Sequence, residues 1–350
     1  MATQLAQVSV VARKIIRWGI FLILFLIVGR ILWGAGVSAY KKLFPAPPDP
    51  PTITFGKLTK LPFPESTRPG GITFTLENPE GTLPTLPFQM KVYFMPKVSS
   101  HLLSLEVAKQ KASSLGYLAD ELAISETVYR FAHKNGFANL QINIVSGVFS
   151  LGYDLKGDTS PLSTRPPNPE VAAALVRSFL STADLLAADL TGPTTHQFLK
   201  VDNEQLVGAL SLSDASLIKI YLFRKNYEDY PSLTPYQNQS NVWFIVSGSQ
   251  ETDKKIIGGE YHYFPVDETQ FATYPIKTAQ AAWDELIAGG GYIVNSGGAV
   301  EGGNVKIRKI YLGYYDAGLP VEFFQPIIVF EGDNGFKAYI PAITSDYYGE

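Results

Sequence analysis

The chain has 350 residues, 46% hydrophobic and 17% charged, with 30 glycines, 24 prolines and no cysteine. This composition can bury a core in one large domain or two smaller ones, and it excludes disulfides, thiolate metal sites, iron–sulfur clusters and a cysteine nucleophile. The net charge of −3 is uneven: residues 1–52 hold six basic residues against Asp49 alone, so the rest is acidic and lacks the basic footprint of a nucleic-acid binder.

The run from Trp18 to Tyr40 carries a single charge, Arg30. As a helix it is long enough for a hydrocarbon core of roughly 30 Å, so the expectation is a single transmembrane helix over 18–40. Trp18, Trp33 and Tyr40 suit the two interfaces, and Arg13, Lys14 and Arg17 favour a cytoplasmic tail over 1–17. Arg30 reads either as snorkelling to the outer headgroups or as a membrane-helix contact to an acid on a partner helix. A cleaved leader is the rival reading, because Val37-Ser38-Ala39 has the small-residue pattern of a cleavage site. Residues 41–52, with "FPAPPDPPT", form a proline-rich, extended linker.

Strand-like runs follow at Ile53–Gly56, Gly71–Glu77 and Gln89–Met95. A helix is predicted over Ser104–Leu115, with Leu105, Ala108, Ala112 and Leu115 on one face and Gly116 as its stop. Strands are predicted at Glu126–Ala132, Asn139–Ser146 and Val148–Leu155. The loop "DTSPLSTRPPNP" reads as a boundary, giving a first extracytoplasmic unit over 53–160 and a second region over 161–350.

Asn168-Pro169 opens a second helix, with Val171, Ala174, Leu175 and Phe179 as its apolar face. Strands are predicted at Gln197–Val201, Leu217–Arg224, Asn241–Ser247 and Lys255–Phe264. In the third helix Ala279, Ala282, Trp283, Leu286 and Ile287 share a face, and Gly289–Gly291 end it. Val305–Tyr315, Phe323–Glu331 and Phe336–Ile343 close the chain, the last two joined by a tight turn at Asp333-Asn334-Gly335. A helix followed by three or four antiparallel strands thus occurs three times, which predicts an α+β fold with helices on one face of curved sheets.

No pattern of residues names a reaction. His101, His133, His196 and His262 are scattered; His262 and Glu260 share a strand face, a poor start for a metal site. Ser216-Leu217-Ile218-Lys219 matches S-x-x-K, but "LIKIYLF" reads as strand, which puts Ser216 and Lys219 on opposite faces. The glycines after the third helix end it and do not open one, the wrong end for a phosphate cradle. Tyr311, Tyr314, Tyr315, Phe323 and Phe324 cluster near one hairpin. They read either as sheet core or as a binding surface for a peptide, a glycan or a partner protein.

The C-terminal segment 277–343 contains "TAQAAWDELIAGGGYIV", "VKIRKIYLGYYDAG" and "EFFQPIIVFEGDNGFKAYIPAI". It resembles the membrane-anchored regulators of the YycI/YycH type, whose outside bodies are built from PepSY-like helix-and-sheet units. The resemblance implies no catalysis and no cofactor. It implies regulation of another envelope protein, such as a sensor histidine kinase, through contacts that would include Arg30 and its helix. The expectation is therefore a non-enzymatic, single-pass protein of the cell membrane with an extracytoplasmic body that regulates or scaffolds a partner. The alternative is a module that binds cell-wall glycan or peptide.

Overall fold

In the computed structural model the described residues are 18–19, 21–37, 40, 49–65, 68–97 and 104–349. The expected tail over 1–17, residues 38 and 39 of the cleavage pattern, linker residues 41–48 and His101 lie outside them. The chain divides into two units, residues 1–50 and 51–350.

In the first unit residues 21–37 form helix α1, whose described side chains are exposed. This corrects the expected transmembrane helix: among the described residues no helix is long and apolar enough to cross a membrane. The described stretch 21–37 rises roughly 25 Å at ~1.5 Å per residue, against a ~30 Å core, and carries the charge of Arg30.

The second unit begins with β1 (Thr73–Leu76), β2 (Gln89–Phe94) and α2 (Ser104–Ser114). Next come β3 (Tyr117–Ala123), β4 (Val128–His133), β5 (Ala138–Asn143) and β6 (Phe149–Tyr153). Helix α3 (Pro169–Thr182) leads to β7 (Thr194–Asp202), β8 (Gln205–Gly208), β9 (Leu217–Leu222), β10 (Ser232–Leu233), β11 (Val242–Val246), β12 (Ile256–Tyr261) and β13 (Asp267–Pro275). Helix α4 (Ala279–Ile287) is followed by β14 (Tyr292–Asn295), β15 (Asn304–Tyr315), β16 (Phe323–Phe324), β17 (Pro326–Gly332) and β18 (Lys337–Pro341).

Nine strands form an antiparallel sheet in the order β3-β4-β5-β6-β12-β11-β9-β7-β8. Alternation along β5 turns Ala138, Leu140 and Ile142 to one face, where Phe131, Phe149, Ile220 and Phe244 join them. Helices α2 and α3 cover that face, α2 over β3 and α3 over β9 and β11. Ala108 and Ala112 of α2 and Ala172, Ala173, Val176 and Leu180 of α3 are buried there. Asn168 caps α3 as its position before Pro169 predicts, its Oδ1 accepting the Val171 N–H at 2.9 Å. Gly259 lets β12 pass under Phe244, because a Cβ there would meet the ring at 2.2 Å.

A second sheet has the order β1-β15-β17-β18-β14, with β10 also beside β15, and a third has the order β13-β2-β16. Together with α4 they enclose the other large core, which includes Val92, Tyr274, Leu286, Ile328 and Ile340. In α4, Ala279, Ala282 and Leu286 are buried as their spacing predicts, while Ile287 is exposed. Asn334 has φ +54° and Gly335 φ +78° in the turn before β18, the turn that Asp-Asn-Gly announces.

The expected α+β plan of repeated helix-plus-antiparallel-sheet, PepSY/YycI-like units is corrected as well. The described residues are mostly sheet: eighteen strands in several sheets, with short helices, α2–α4 having 11, 14 and 9 residues. Two physical reasons stand out. β-branched and aromatic residues at period two occupy far more of the chain than helical periodicity does. Strands distant in sequence also complete the sheets: β1 and β10 pair with β15 in parallel, so that sheet is not the product of one local unit.

Where the sheets meet, Arg224 is 3% exposed, and Asp189 and Asp316 are each 7% exposed. Arg224 Nη1 donates to Asp189 at 2.5 Å, Nε to Asp316 at 2.8 Å and Nη2 to the Phe264 carbonyl at 2.6 Å. The Tyr227 and Tyr263 hydroxyls each donate to Asp189 at 2.8 Å. Burial works against the guanidinium charge, but Asp316 and Asp189 outweigh it and hold the pKa above its ordinary value. Nearer the surface Asp158 accepts from the Tyr153 hydroxyl at 2.6 Å and from the Ser160 amide and hydroxyl, each at 2.9 Å. These bonds, the Tyr153 hydroxyl first, hold its pKa well below the usual carboxylate range.

Two predictions follow from these bonds. Arg224→Ala leaves two carboxylates buried without their cation and costs ~3–5 kcal/mol in urea unfolding. Arg224→Lys recovers less than half of that, because an ammonium cannot reproduce the three-way fork; full recovery by lysine would show that charge alone matters. Asp158 has a depressed folded pKa, so its contribution is present above the unfolded value of ~3.9 and is lost as pH falls through the folded value. The gap between wild-type and Asp158→Asn unfolding midpoints is therefore widest above about pH 4 and closes in acid; parallel curves would assign the acid loss elsewhere.

Candidate functional site

Helix α2 lies over β3, and α3 over β9 and β11, on the buried face of the nine-stranded sheet. A cleft of about 610 Å3 opens there, between the C-terminal end of α2, one side of α3 and the start of β12. Leu115, Leu175, Phe179 and Ile256 make its apolar wall.

Tyr117 and His133 sit opposite each other in the β3–β4 pair and reach the same cleft, 6% and 7% exposed. Their rings meet edge to face with centroids 5.2 Å apart. The backbone N–H of Asn135 donates to His133 Nδ1 at 3.2 Å, which places the proton of the neutral ring on Nε2. Neither His133 Nε2 nor the Tyr117 hydroxyl has a hydrogen-bond partner among the described residues. Burial pushes the Tyr117 pKa up, so its hydroxyl stays protonated at neutral pH.

Gly116 ends α2 and keeps this corner open. Its φ of +91° is the left-handed conformation that favours glycine, and a Cβ there would lie 3.4 Å from His133 Nε2. Ser178 and Thr182 of α3, with Lys134, Asp253 and Lys255, form a polar rim. Asp253 accepts from the Asn135 side chain at 3.4 Å, whereas Lys134 and Lys255 form no ion pair among the described residues.

The residues singled out from sequence lie elsewhere. Tyr314, Tyr315 and Phe324 are at most 1% exposed, and Tyr311 and Phe323 are half-buried, so the aromatic cluster is core packing and no open surface. Tyr314 stacks on Phe324 at 5.2 Å and its hydroxyl donates to the Lys91 carbonyl at 3.0 Å; Tyr311 donates to Glu331 at 2.7 Å. Arg30 belongs to the unit of residues 1–50, on exposed α1.

His262 Nε2 and Glu260 lie 3.4 Å apart, and among the described residues no cluster of three or more histidines or carboxylates is placed to hold a metal ion. Lys219 is on β9 as expected, its ammonium 3.5 Å from the centre of the Trp243 ring.

Sequence reasoning missed His133 and Tyr117, which have no motif around them. One signal did point to the cleft. Of the face read from sequence on α3, Val171 and Ala174 are exposed, while Leu175 and Phe179 are half-buried at the margin of the core and also line the cleft; the fully buried face is Ala172, Ala173, Val176 and Leu180. A helix wider in apolar surface than its buried stripe has a margin left for a ligand to cover.

No protein-family model matches the chain, and no curated protein matches it. Among solved structures it is similar to an uncharacterized protein from Eubacterium rectale, at 13% identity over 80% of this chain and 90% of that one, with a TM-score of 0.34.

Proposed function

We propose that the protein acts by binding, without catalysis, and that its ligand enters the cleft between α2 and α3. One observation carries this reading: His133 Nε2–H and the Tyr117 hydroxyl, on two largely buried rings, line an apolar cleft and have no protein partner among the described residues. A ligand that pairs both gains hydrogen bonds that only water can supply in its absence, while its apolar part covers Leu175 and Phe179.

Catalysis is disfavoured by how His133 is held. Its Nδ1 takes a backbone amide, not the carboxylate that orients the base of a nucleophilic relay. A binding role also suits a regulator, the role that the resemblance of residues 277–343 implies, and it suits the alternative of a peptide-binding module.

The test is thermal unfolding of the full chain with a panel of small acids, amides and alcohols on apolar bodies. A cleft ligand present at 100 times its Kd stabilises by ~2.7 kcal/mol. Ser178→Trp fills the cleft from an exposed helix position and abolishes that shift; a shift unchanged in this variant sinks the assignment. Tyr117→Phe leaves the unliganded protein within ~0.5 kcal/mol of wild type, because the hydroxyl has no partner to lose, and it weakens the ligand. A loss of several kcal/mol without ligand would mean that the hydroxyl is structural.

A further inference from the structure

The head group that the cleft accepts follows from where its protons are. His133 Nε2–H can only donate while Nδ1 is engaged by Asn135, so the ligand must bring an acceptor. The Tyr117 hydroxyl, the other partnerless group, can donate beside it. Two donors facing one corner match an acceptor-only head with two oxygens.

The rim adds a charge preference. Lys134 follows His133 directly and Lys255 adjoins Ile256 of the apolar wall; neither is neutralised by an ion pair among the described residues. The rim's single carboxylate, Asp253, is engaged by the Asn135 side chain at 3.4 Å. A cationic head meets two lysines against the one carboxylate of Asp253 and finds two donors, so charge and hydrogen bonding both disfavour it. A neutral amide offers one acceptor oxygen and gains nothing from the lysines.

We propose that the cleft binds a carboxylate carried on an apolar body. The carboxylate accepts from His133 Nε2–H and the Tyr117 hydroxyl, Lys134 and Lys255 supply attraction from the rim, and the apolar body lies against Leu175 and Phe179. This rests on the cleft being the binding site. A free aliphatic or aromatic acid presents this chemistry, and so does the C-terminus of a peptide that ends in an apolar residue.

Calorimetry on the full chain tests it, with sodium octanoate against octanamide at low salt and neutral pH. Octanoate binds at least about tenfold more tightly, a difference of ~1.4 kcal/mol. The Lys134→Ala/Lys255→Ala double variant loses at least about fivefold for octanoate and leaves octanamide unchanged, and added salt narrows the same gap.

Equal affinity for the two probes, both lost in Ser178→Trp, overturns the carboxylate and leaves the cleft standing. Octanoate bound equally well by Ser178→Trp sits elsewhere and overturns the proposal; if no other panel compound needs the cleft, the binding reading falls with it. Two pentapeptides, four alanines ending in leucine, separate the sources. If the free C-terminus displaces octanoate and the amidated one does not, the carboxylate is a peptide's. If neither displaces it, a free acid is the ligand.

Discussion

Arg224 is the joint on which the body of this protein is organised. Its three hydrogen bonds reach Asp189 after α3, Phe264 after β12 and Asp316 after β15. These segments come from the nine-stranded sheet on one side and the β15 sheet on the other. Desolvating a guanidinium is costly, and the site recovers that cost only because every acceptor is in place at once. A planar fork with fixed donor directions also leaves little freedom in how the segments approach. Tyr227, Tyr314 and Phe324 pack beside it, with the Arg224 guanidinium 5.8 Å from the Phe324 ring.

With the sheets joined at that end, the helices sit where the remaining apolar surface of the nine-stranded sheet needs cover. α2 takes β3 and α3 takes β9 and β11, and the cleft lies between the C-terminal end of α2, one side of α3 and the start of β12. The edge pair β3–β4 then supplies its polar corner, because Tyr117 and His133 stand on the helix-side face that also carries Phe131. Fold and site are therefore linked by geometry: the end of α2, one side of α3 and the start of β12 frame a half-apolar recess, and the glycine that stops α2 adds no side chain beside His133.

Legibility in the sequence followed the range of the interactions. The α2 stripe, the Asn168 cap, the buried face of α4 and the Asp-Asn-Gly turn depend on residues within a few positions of each other, and each was readable. β3 was not: "YLADELA" contains helix formers, and it is a strand because β4 pairs with its edge. The hairpin aromatics were readable as a cluster, as sheet core or as a binding surface, but not what covers them: Phe63, its ring centroid 4.8 Å from that of Tyr315, comes from a segment some 250 residues earlier. α1 shows the converse: a single-charge apolar run suggested a spanning helix, and the helix among the described residues falls short of that length.

The sequence by itself determined the local alphabet: where α2, α3 and α4 start and stop, which runs favour strands, the absence of cysteine chemistry, and the acidic charge of the body. Each of these depends on composition or on neighbours along the chain. Only the tertiary structure decided that β1 and β10 lie parallel to β15, that Arg224 holds two aspartates in the interior, and that His133 and Tyr117 share a cleft with Leu175 and Phe179 of α3. Those facts depend on contacts between segments tens to hundreds of residues apart. Their pairing is chosen by how whole surfaces are covered, and no short window of sequence carries that information.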